Sequence, residues 1–323
     1  MEDRLITALI VVFGVPAVLF GYIAVSERLI HLAPERLRDR MRPWVWLLPA
    51  FGFLGVFLVY PTVYTFYLSL LDRASSAFVG LDNYVYFFTT VDTLVALRNN
   101  AIWLVLLTGL AVGAGLIIAV LLDRVRYESV AKSVIFVPLA ISFVGAGVIW
   151  KFMYDFRPPG TAQTGTLNGI ITSVGADPVP WLLTPPWNSV ALIVVAAWIW
   201  TGFCMVILSG ALKGISTELL EAARVDGANE LQVFRGITFP LLLPTIAVVA
   251  TTMVITSLKA FDIVYVMTNG AFDTEVIANR MFKELFAFGQ PGRASATAIL
   301  LLLLIIPVMA INIRRFRQQE AMR

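Results

Sequence analysis

The residues of this chain whose types and spacing could do specific chemistry lie in a polar segment that begins at Ser216, between two long apolar stretches. Ser216 or Thr217 can cap a short helix, and Gly227 suits the left-handed residue that ends such a helix. Asn229 is followed three residues later by Gln232, a spacing typical of a capping box at the start of a second helix. The segment therefore predicts a small helix-turn-helix.

The residue types of this helix pair predict that it docks to another protein. Ala222 and Ala223 are small, so a partner surface can approach the helix backbone closely, and Glu221 and Asp226 offer charge beside them. The alternative is an amphipathic helix resting on the lipid interface. Such anchors are rich in Trp, Phe and Lys, whereas this segment offers Ala, Glu, Asp and Gly.

Catalytic, metal-binding and nucleotide-binding chemistry are not indicated. Cys204, the one cysteine, lies in an apolar run, and His31, the one histidine, lies in a polar loop. Lys132-Ser133 has no glycine-rich loop before it, so the chain lacks that device for cradling ATP phosphates. The centres of the apolar stretches contain no Asp or Glu that could relay ions. We therefore predict no catalytic residue and no metal site, and any energy from ATP must come from another subunit.

The elements that must position the helix pair are membrane spans. Apolar residues make up 59% of the chain, charged residues 14%, and the mean hydropathy is +0.84, whereas soluble domains have about 45–50% and about 25%. A helix needs about 20 apolar residues to cross a bilayer core. Charge-free intervals predict spans at residues 5–25, 44–71, 99–122, 133–150, 187–212, 236–258 and 294–313.

Basic residues predict which side each loop faces, because cytoplasmic loops carry an excess of Lys and Arg. Arg and Lys are more numerous in segments 26–43, 123–132, 213–235 and 314–323 than in the segments on the opposite side. The C-terminus and the helix pair should therefore be cytoplasmic, with the N-terminus outside. The first apolar stretch lacks a positive start and a clear cleavage site, so we interpret it as a retained span.

The polar segment resembles the signature of the membrane subunits of ATP-binding-cassette (ABC) importers. In that family the segment is the coupling helix, which sits in a groove of the cytoplasmic ATPase. Phe239 stands where leucine is common in the signature. The resemblance implies ATPase coupling through Glu221, Ala222, Ala223, Asp226, Gly227, Ile237 and Pro240.

Further stretches resemble the maltose-type carbohydrate importers within that family. They are Tyr60-Pro61, residues 78–84 and residues 267–270, and residues 140–152 are similar to those of α-glucoside permeases. The resemblance implies an all-α integral membrane protein with the type I ABC importer permease fold and about seven transmembrane helices. It implies an extra span and basic loop at 1–43, then a six-span core at 44–323 with its coupling helix at 216–236.

The same resemblance implies the protein's partners and its place in the cell. A second homologous permease subunit should complete the pore, two cytoplasmic ABC ATPase subunits should bind below it, and an extracytoplasmic sugar-binding protein should deliver the substrate. ATP and Mg²⁺ should be used by the ATPase, so this chain needs no cofactor of its own. The location implied is the inner (cytoplasmic) membrane, and the cargo implied is an α-glucoside or a similar oligosaccharide.

A path for a neutral sugar needs hydrogen-bonding groups and aromatic faces, and spans five and six supply both. Such hydroxyls and aromatic rings also pack helices together, so each residue has both interpretations open. Resemblance to the maltose permease favours the path, although an asparagine-rich patch of that family is replaced here. Lys259 and Asp262 can also pair, since they are three residues apart. The predicted substrate path comprises Trp200, Phe203, Thr256, Ser257, Lys259 and Phe261.

Two other function classes remain as alternatives. An ion-coupled secondary carrier could hold sodium with backbone carbonyl groups that a sequence pattern does not reveal. A membrane enzyme would need paired carboxylates, a histidine cluster or an activated nucleophile in the spans, and none is apparent. The sequence therefore favours the importer permease over both.

Overall fold

The computed structural model describes residues 2–32, 34–123 and 125–320, and this part of the chain is mostly helical with no β-strand. The predicted all-α class is confirmed. The helices are α1 (Glu2–Leu32), α2 (Glu35–Leu54), α3 (Tyr60–Ser69), α4 (Asp82–Thr89), α5 (Val91–Leu122), α6 (Glu128–Phe136), α7 (Phe143–Met153), α8 (Thr166–Ser173), α9 (Trp187–Leu212), α10 (Thr217–Val225), α11 (Glu230–Val233), α12 (Phe239–Leu258), α13 (Asp262–Met267), α14 (Ile277–Phe282) and α15 (Pro291–Glu320).

Six helical stretches within the described ranges are long and apolar enough to cross a membrane. A bent helix pair could supply a seventh crossing, which agrees with the predicted number of about seven. Several helices of this length and composition identify a multi-pass membrane protein, because a helix satisfies its own backbone hydrogen bonds where lipid offers no partners. The six stretches are Val12–Leu32, Leu37–Ser69, Val91–Leu122, Trp187–Leu212, Glu230–Leu258 and Pro291–Ile311.

The predicted fourth span, 133–150, is not one straight helix. Glu128–Ala140 and Phe143–Met153 are bent by 98° at the break between them. Ile141 adopts an extended backbone there, and the hydroxyl of Ser142 caps α7 by accepting a hydrogen bond from the Gly145 amide at 3.0 Å. The bend was not predicted, because hydropathy measures how apolar the residues are and not whether helical hydrogen bonds continue.

The sixth span begins earlier than its predicted start at residue 236. Its helical stretch runs from Glu230 and contains a π-helical turn, Phe234–Thr238, which ends two residues before Pro240. Proline has no backbone N–H and disturbs the regular hydrogen-bond ladder. A wider turn at this point lets the helix continue from the polar segment into the apolar one.

The chain divides into two compact units, one ending at Tyr64 and the other beginning at Thr65. In the first unit, α1 and α2 are joined by an ion pair between Glu27 and Arg42 at 3.0 Å. The second unit is the larger and contains the helix pair and the main hydrophobic core. The predicted boundary after residue 43 stays a prediction, since compactness alone does not define a functional domain.

The core of the larger unit is formed mainly where α5, α9 and α12 pack together. Two glycines allow helices to approach α9 closely, Gly115 from α5 and Gly202 on α9 itself against α6. A Cβ atom added at Gly115 would lie 2.6 Å from the Cβ atom of Cys204, and one at Gly202 would lie 2.5 Å from the Ile135 carbonyl oxygen. Small residues at such contacts let helix backbones approach each other, which is how membrane helices gain packing energy without a hydrophobic driving force.

Candidate functional site

A cleft of about 70 Å³ opens in the larger unit beside the middle of α9. Most of the lining is apolar or aromatic, and two charged side chains interrupt it. The lining residues are Trp103, Leu107, Phe143, Ala196, Trp200, Thr256, Lys259, Ala260, Phe261, Asp262 and Ile263.

Aromatic rings form two walls of this cleft. On one wall, Trp200 stacks on Phe143 with ring centroids 6.0 Å apart and an interplanar angle of 28°. On the other, Phe261 stacks on Tyr265 at 5.3 Å and contacts Phe282 at the same centroid distance. Aromatic faces of this kind can stack on the apolar face of a pyranose ring.

Two helix breaks meet at the cleft. Helix α12 ends at Leu258 and α13 begins at Asp262, with Phe261 at φ −147° and ψ −65° between them. The break before Phe143 lies on the opposite wall. Non-helical backbone at membrane depth is tolerated where it is buried in protein or lines a cavity, and discontinuous helices form the binding sites of many transporters. The backbone geometry therefore fits a substrate path.

Asn100, on α5, holds the first of these breaks in place. Its side-chain amide donates to the Leu258 carbonyl oxygen at 3.1 Å, and its oxygen accepts from the Ile277 amide at 2.8 Å. The neighbouring Asn99 donates to the carbonyl oxygen of Glu275 at 2.8 Å. The sequence analysis missed both asparagines. Adjacent asparagines at the start of an apolar span were the available signal, because buried amides need partners.

Four of the six residues predicted for the substrate path line the cleft together: Trp200, Thr256, Lys259 and Phe261. Phe203 lies outside the lining and contacts Trp200 edge-on at a centroid distance of 5.5 Å. Ser257 is fully buried, and its hydroxyl donates to the Met253 carbonyl oxygen at 2.7 Å. The structure thus separates two packing residues from four that face the cavity.

The predicted pairing of Lys259 with Asp262 was wrong. Both residues are described, and no ion pair joins them. The prediction assumed that a continuous helix would bring residues three apart onto one face. The chain leaves the helix after Leu258, so that spacing rule no longer applies to the two side chains.

The helix pair, α10 and α11, has the predicted turn. Gly227 has φ +89°, and the Ala228 and Gly227 amides donate to the carbonyl oxygens of Ala223 and Arg224 at 3.0 and 3.1 Å. This arrangement is the Schellman motif, which satisfies the last carbonyl groups of a helix. Helix α10 begins after Ser216, but the Ser216 side chain makes no capping hydrogen bond.

The start of α11 also follows the predicted pattern. The Asn229 side chain accepts from the Gln232 amide at 3.0 Å, and the Gln232 side chain accepts from the Asn229 amide at 2.8 Å. The predicted capping box is therefore confirmed. Two reciprocal bonds at this point fix the angle at which the chain enters α11.

The helix pair presents charged and apolar side chains at the surface. The guanidinium of Arg224 donates to the Glu230 carboxylate at 2.9 Å, and this hydrogen bond raises the pKa of Arg224. No residue of α10 is buried, and Glu221 and Asp226 are exposed. Val225 is 87% exposed and Leu231 is 56% exposed. Val233, in contrast, is buried and attaches the pair to the larger unit.

Ile237 and Pro240 complete the set predicted for coupling. Ile237 lies in the π-helical turn and is partly buried, and Pro240 lies in the first turn of α12 with an exposed side chain. The set is thus continuous with the sixth span. Helix α12 therefore connects the helix pair to the cleft.

A protein-family model described as "Binding-protein-dependent transport system inner membrane component" matches residues 111–314, which include the cleft's α9 and α12 walls and the helix pair. The chain belongs to this family. Membership confirms the prediction of a membrane subunit of an ABC importer, and the signature at residues 221–240 lies inside the matched range.

Two relatives match most of the length of this chain. The osmoprotective compounds uptake permease protein GgtC of Synechocystis is 57% identical over 86% of this chain and 100% of that protein. The α-glucoside transport system permease protein AglF of Rhizobium meliloti is 47% identical over 88% of this chain and 85% of its own length. The sequence resemblance to carbohydrate permeases is thereby confirmed.

A solved structure supports the fold of the family member. A chain of a bacterial ABC transporter involved in the import of the acidic polysaccharide alginate superposes with a TM-score of 0.73. The match covers 88% of this chain and 98% of the other, at 23% sequence identity. The predicted importer permease fold is therefore confirmed.

Proposed function

We propose that this permease forms half of the translocation pore of an ATP-driven sugar importer, and that its substrate is an α-glucoside or a similar small oligosaccharide. The observation that carries the proposal is the cleft at which two broken helices meet aromatic walls. The name of AglF supports a glucoside as cargo, and the name of GgtC supports an osmoprotective compound. An ion-coupled carrier is not favoured, because the family works with a binding protein.

Coupling to the ATPase is proposed to run through the helix pair. Its exposed Val225 and Leu231 give an apolar contact surface, and Glu221 gives a charge that can meet a basic rim on the ATPase. ATP-driven closure of two ATPase subunits would move the pair, and rigid-body movement of the attached spans would alternate access to the cleft. A second permease subunit and an extracytoplasmic sugar-binding protein complete the proposed assembly.

In this assembly the chain supplies no catalytic group. ATP and Mg²⁺ are used by the ATPase subunits, and the permease needs no metal or cofactor of its own. The protein lies in the inner (cytoplasmic) membrane with the helix pair and the C-terminus in the cytoplasm and the N-terminus outside. The proposed orientation rests on the distribution of Lys and Arg among the loops.

This orientation predicts the labelling of two introduced cysteines. Ala162→Cys, in the segment between α7 and α8, should react in intact cells with a thiol reagent that does not cross membranes. Tyr127→Cys, before α6, should react only after the membrane is opened. Both positions are exposed, and the native Cys204 is buried and should give little background. Labelling of Tyr127→Cys in intact cells would show that the proposed orientation is wrong.

The proposed substrate path predicts a transport defect for Trp200→Ala. Removing the indole takes away one face of the aromatic wall, and stacking on aromatic rings is worth about 0.5–1.5 kcal/mol beyond area burial, so uptake should fall about tenfold. Initial rates of ATP-dependent uptake of labelled trehalose and maltose are measured in proteoliposomes that contain the complete transporter.

Trp187→Ala is the matched control for this prediction, because Trp187 lies at the end of the same helix, is exposed and does not line the cleft. This variant should transport normally. Equal uptake by Trp200→Ala and the wild type would place the sugar path elsewhere. Uptake driven by an ion gradient in the absence of ATPase subunits would instead favour the secondary carrier.

A further inference from the structure

A second cavity, of about 430 Å³, opens between α6 and the end of α9 and shares no lining residue with the cleft. One end of this cavity is polar. Lys132 and Lys213 bring two positive charges, Glu128 brings one negative charge, and Ser129 and Ser133 add hydroxyl groups. Among the described residues no other charged side chain lines the cavity, so the formal charge of this lining is +1. The polar end can therefore attract an anion.

Contacts between the two helices hold the lysines in place. The Glu128 carboxylate accepts a hydrogen bond from the Lys132 ammonium group and pairs with Lys213 at 2.8 Å. The Lys132 ammonium group also donates to the hydroxyl of Ser209, which is buried on α9. An ammonium group has three donors, so each lysine keeps at least one donor beyond these bonds. The two ammonium groups can thus bind the oxygens of a phosphate group.

The lining changes from polar to apolar in the same direction along both helices. Glu128 begins α6 and Phe136 ends it, whereas Lys213 follows the last residue of α9 and Val206 lies two turns before it. At 1.5 Å per residue, the apolar end lies about 10–12 Å further into the span than the charged end. A glycerophospholipid has the same order, with its phosphate in the headgroup region and its acyl chains in the hydrocarbon core. A soluble anion has no part that would fill the apolar end.

The surface beside the cavity is apolar and exposed. Val130, Val134 and Val137 share one face of α6 and of the turn that follows it, because they are spaced three and four residues apart. These three side chains are between 58% and 66% exposed. In a membrane span such a face contacts acyl chains, so the cavity opens beside lipid.

We propose that this cavity binds one anionic glycerophospholipid, with its phosphate between Lys132 and Lys213 and one acyl chain along Phe136 and Val206. A zwitterionic lipid is disfavoured because its own ammonium group would lie near two lysines, whose carboxylate neighbour is already paired with both. Basic pockets between membrane helices on the cytoplasmic side can bind anionic headgroups in this way. Placement in the inner leaflet rests on the proposed orientation, whereas binding requires only that the charged end lie at a membrane surface.

The test counts the lipids bound to the purified complete transporter by native mass spectrometry. After delipidation, phosphatidylglycerol and phosphatidylethanolamine with identical dioleoyl chains are added separately over a range of concentrations. The lipid in this cavity is the difference between the wild type and the double variant Lys132→Met/Lys213→Gln, which should bind one phosphatidylglycerol fewer for each copy of this chain. The wild type should bind phosphatidylglycerol at this site at least about fivefold more tightly than phosphatidylethanolamine.

Single substitutions should change the affinity for phosphatidylglycerol in opposite directions. Lys213→Gln lowers the formal charge of the lining to zero and should weaken binding about fivefold. Glu128→Gln raises that charge to +2 and should strengthen binding about fivefold. A purely structural role of this charge cluster predicts no gain for Glu128→Gln. Val206→Trp fills the apolar end without changing the charge and should weaken binding at least about tenfold.

The controls are Arg235→Gln and Val194→Trp. Arg235 is exposed at the same side of the membrane, and Val194 lies on α9 and is 39% exposed, as Val206 is, but neither residue lines the cavity. Both variants should bind lipid like the wild type. Co-purification of the partner subunits verifies the assembly of every variant. Glycerophosphoglycerol, the same headgroup without acyl chains, should not displace the lipid at equal concentration.

Three results would each overturn the lipid site. The wild type and the double variant could bind equal numbers of phosphatidylglycerol molecules, as expected if a second permease subunit covers the cavity. Phosphatidylethanolamine could bind as tightly, or Glu128→Gln could weaken binding, either of which would contradict the charge argument. Displacement by glycerophosphoglycerol would show a site for soluble anions instead. None of these results bears on the sugar path, because sugar uptake does not enter the measurement.

Discussion

Gly227→Val should abolish ATP-dependent uptake while the protein remains in the membrane. Gly227 has φ +89°, which a β-branched side chain strongly disfavours, so the turn between α10 and α11 would lose its geometry. A Cβ atom there would meet no other atom within 4 Å, so the effect comes from the backbone conformation and not from a collision. We expect a cost of at least about 1 kcal/mol at the turn and uncoupling of the ATPase.

Ala223→Trp tests the same surface by a different route. Ala223 is partly buried and lies one turn before Gly227 on α10, so an indole there would hold the ATPase away from the helix. Uptake and co-purification of the ATPase are measured together for both variants. Loss of uptake with the permease still in the membrane is the expected result.

Gly236→Ala is the matched control for the Gly227 variant. Gly236 lies in the π-helical turn with no positive φ angle, and a Cβ atom added to it would also meet nothing within 4 Å. This variant should transport at nearly the wild-type rate. Full uptake by both Gly227→Val and Ala223→Trp, with the ATPase bound, would show that the helix pair is not the coupling element.

Asn100→Leu should destabilise the transporter and stop uptake. The substitution leaves the buried Ile277 amide and the Leu258 carbonyl oxygen without their partners. Each buried group left unsatisfied costs about 1–3 kcal/mol. The break that carries Lys259 into the cleft would also lose its attachment to α5. Thermal unfolding of the purified complex and initial uptake rates measure the two effects.

Thr108→Val provides a control on the same helix. The Thr108 hydroxyl oxygen is buried and has no hydrogen-bond partner within the described structure. Replacing it with an apolar group of the same shape should be neutral or slightly stabilising. If Asn100→Leu has the unfolding temperature and the uptake rate of the wild type, Asn100 does not hold the break between α12 and α13 in place.

Local features of this protein could be predicted from the sequence because they depend on neighbouring residues. The turn at Gly227 and the capping box of Asn229 and Gln232 involve bonds across only a few residues, so their spacing is enough to predict them. The main spans could also be predicted, because each must satisfy its own backbone hydrogen bonds and be apolar over its length. The span at Trp187–Leu212 agrees with its predicted bounds.

Long-range features could not be predicted in the same way. Asn100 bonds to residues 158 and 177 positions away in the chain, and no short pattern records such a partner. That Trp103 and Phe143 line the cleft was not predicted, because it depends on how three helices pack. The bend before Phe143 was not predicted, because the hydropathy of an apolar residue is the same whether its backbone is extended or helical.

By itself, the amino-acid sequence determined that this is a multi-pass membrane protein, placed most of its spans and specified the turn of its helix pair, since these follow from composition and local hydrogen bonding. Only the tertiary structure decided which aromatic and hydroxyl side chains face a cavity and which are packed. It also decided that Lys259 and Asp262 remain apart, because the chain leaves the helix after Leu258 and carries the two charges into the cleft separately.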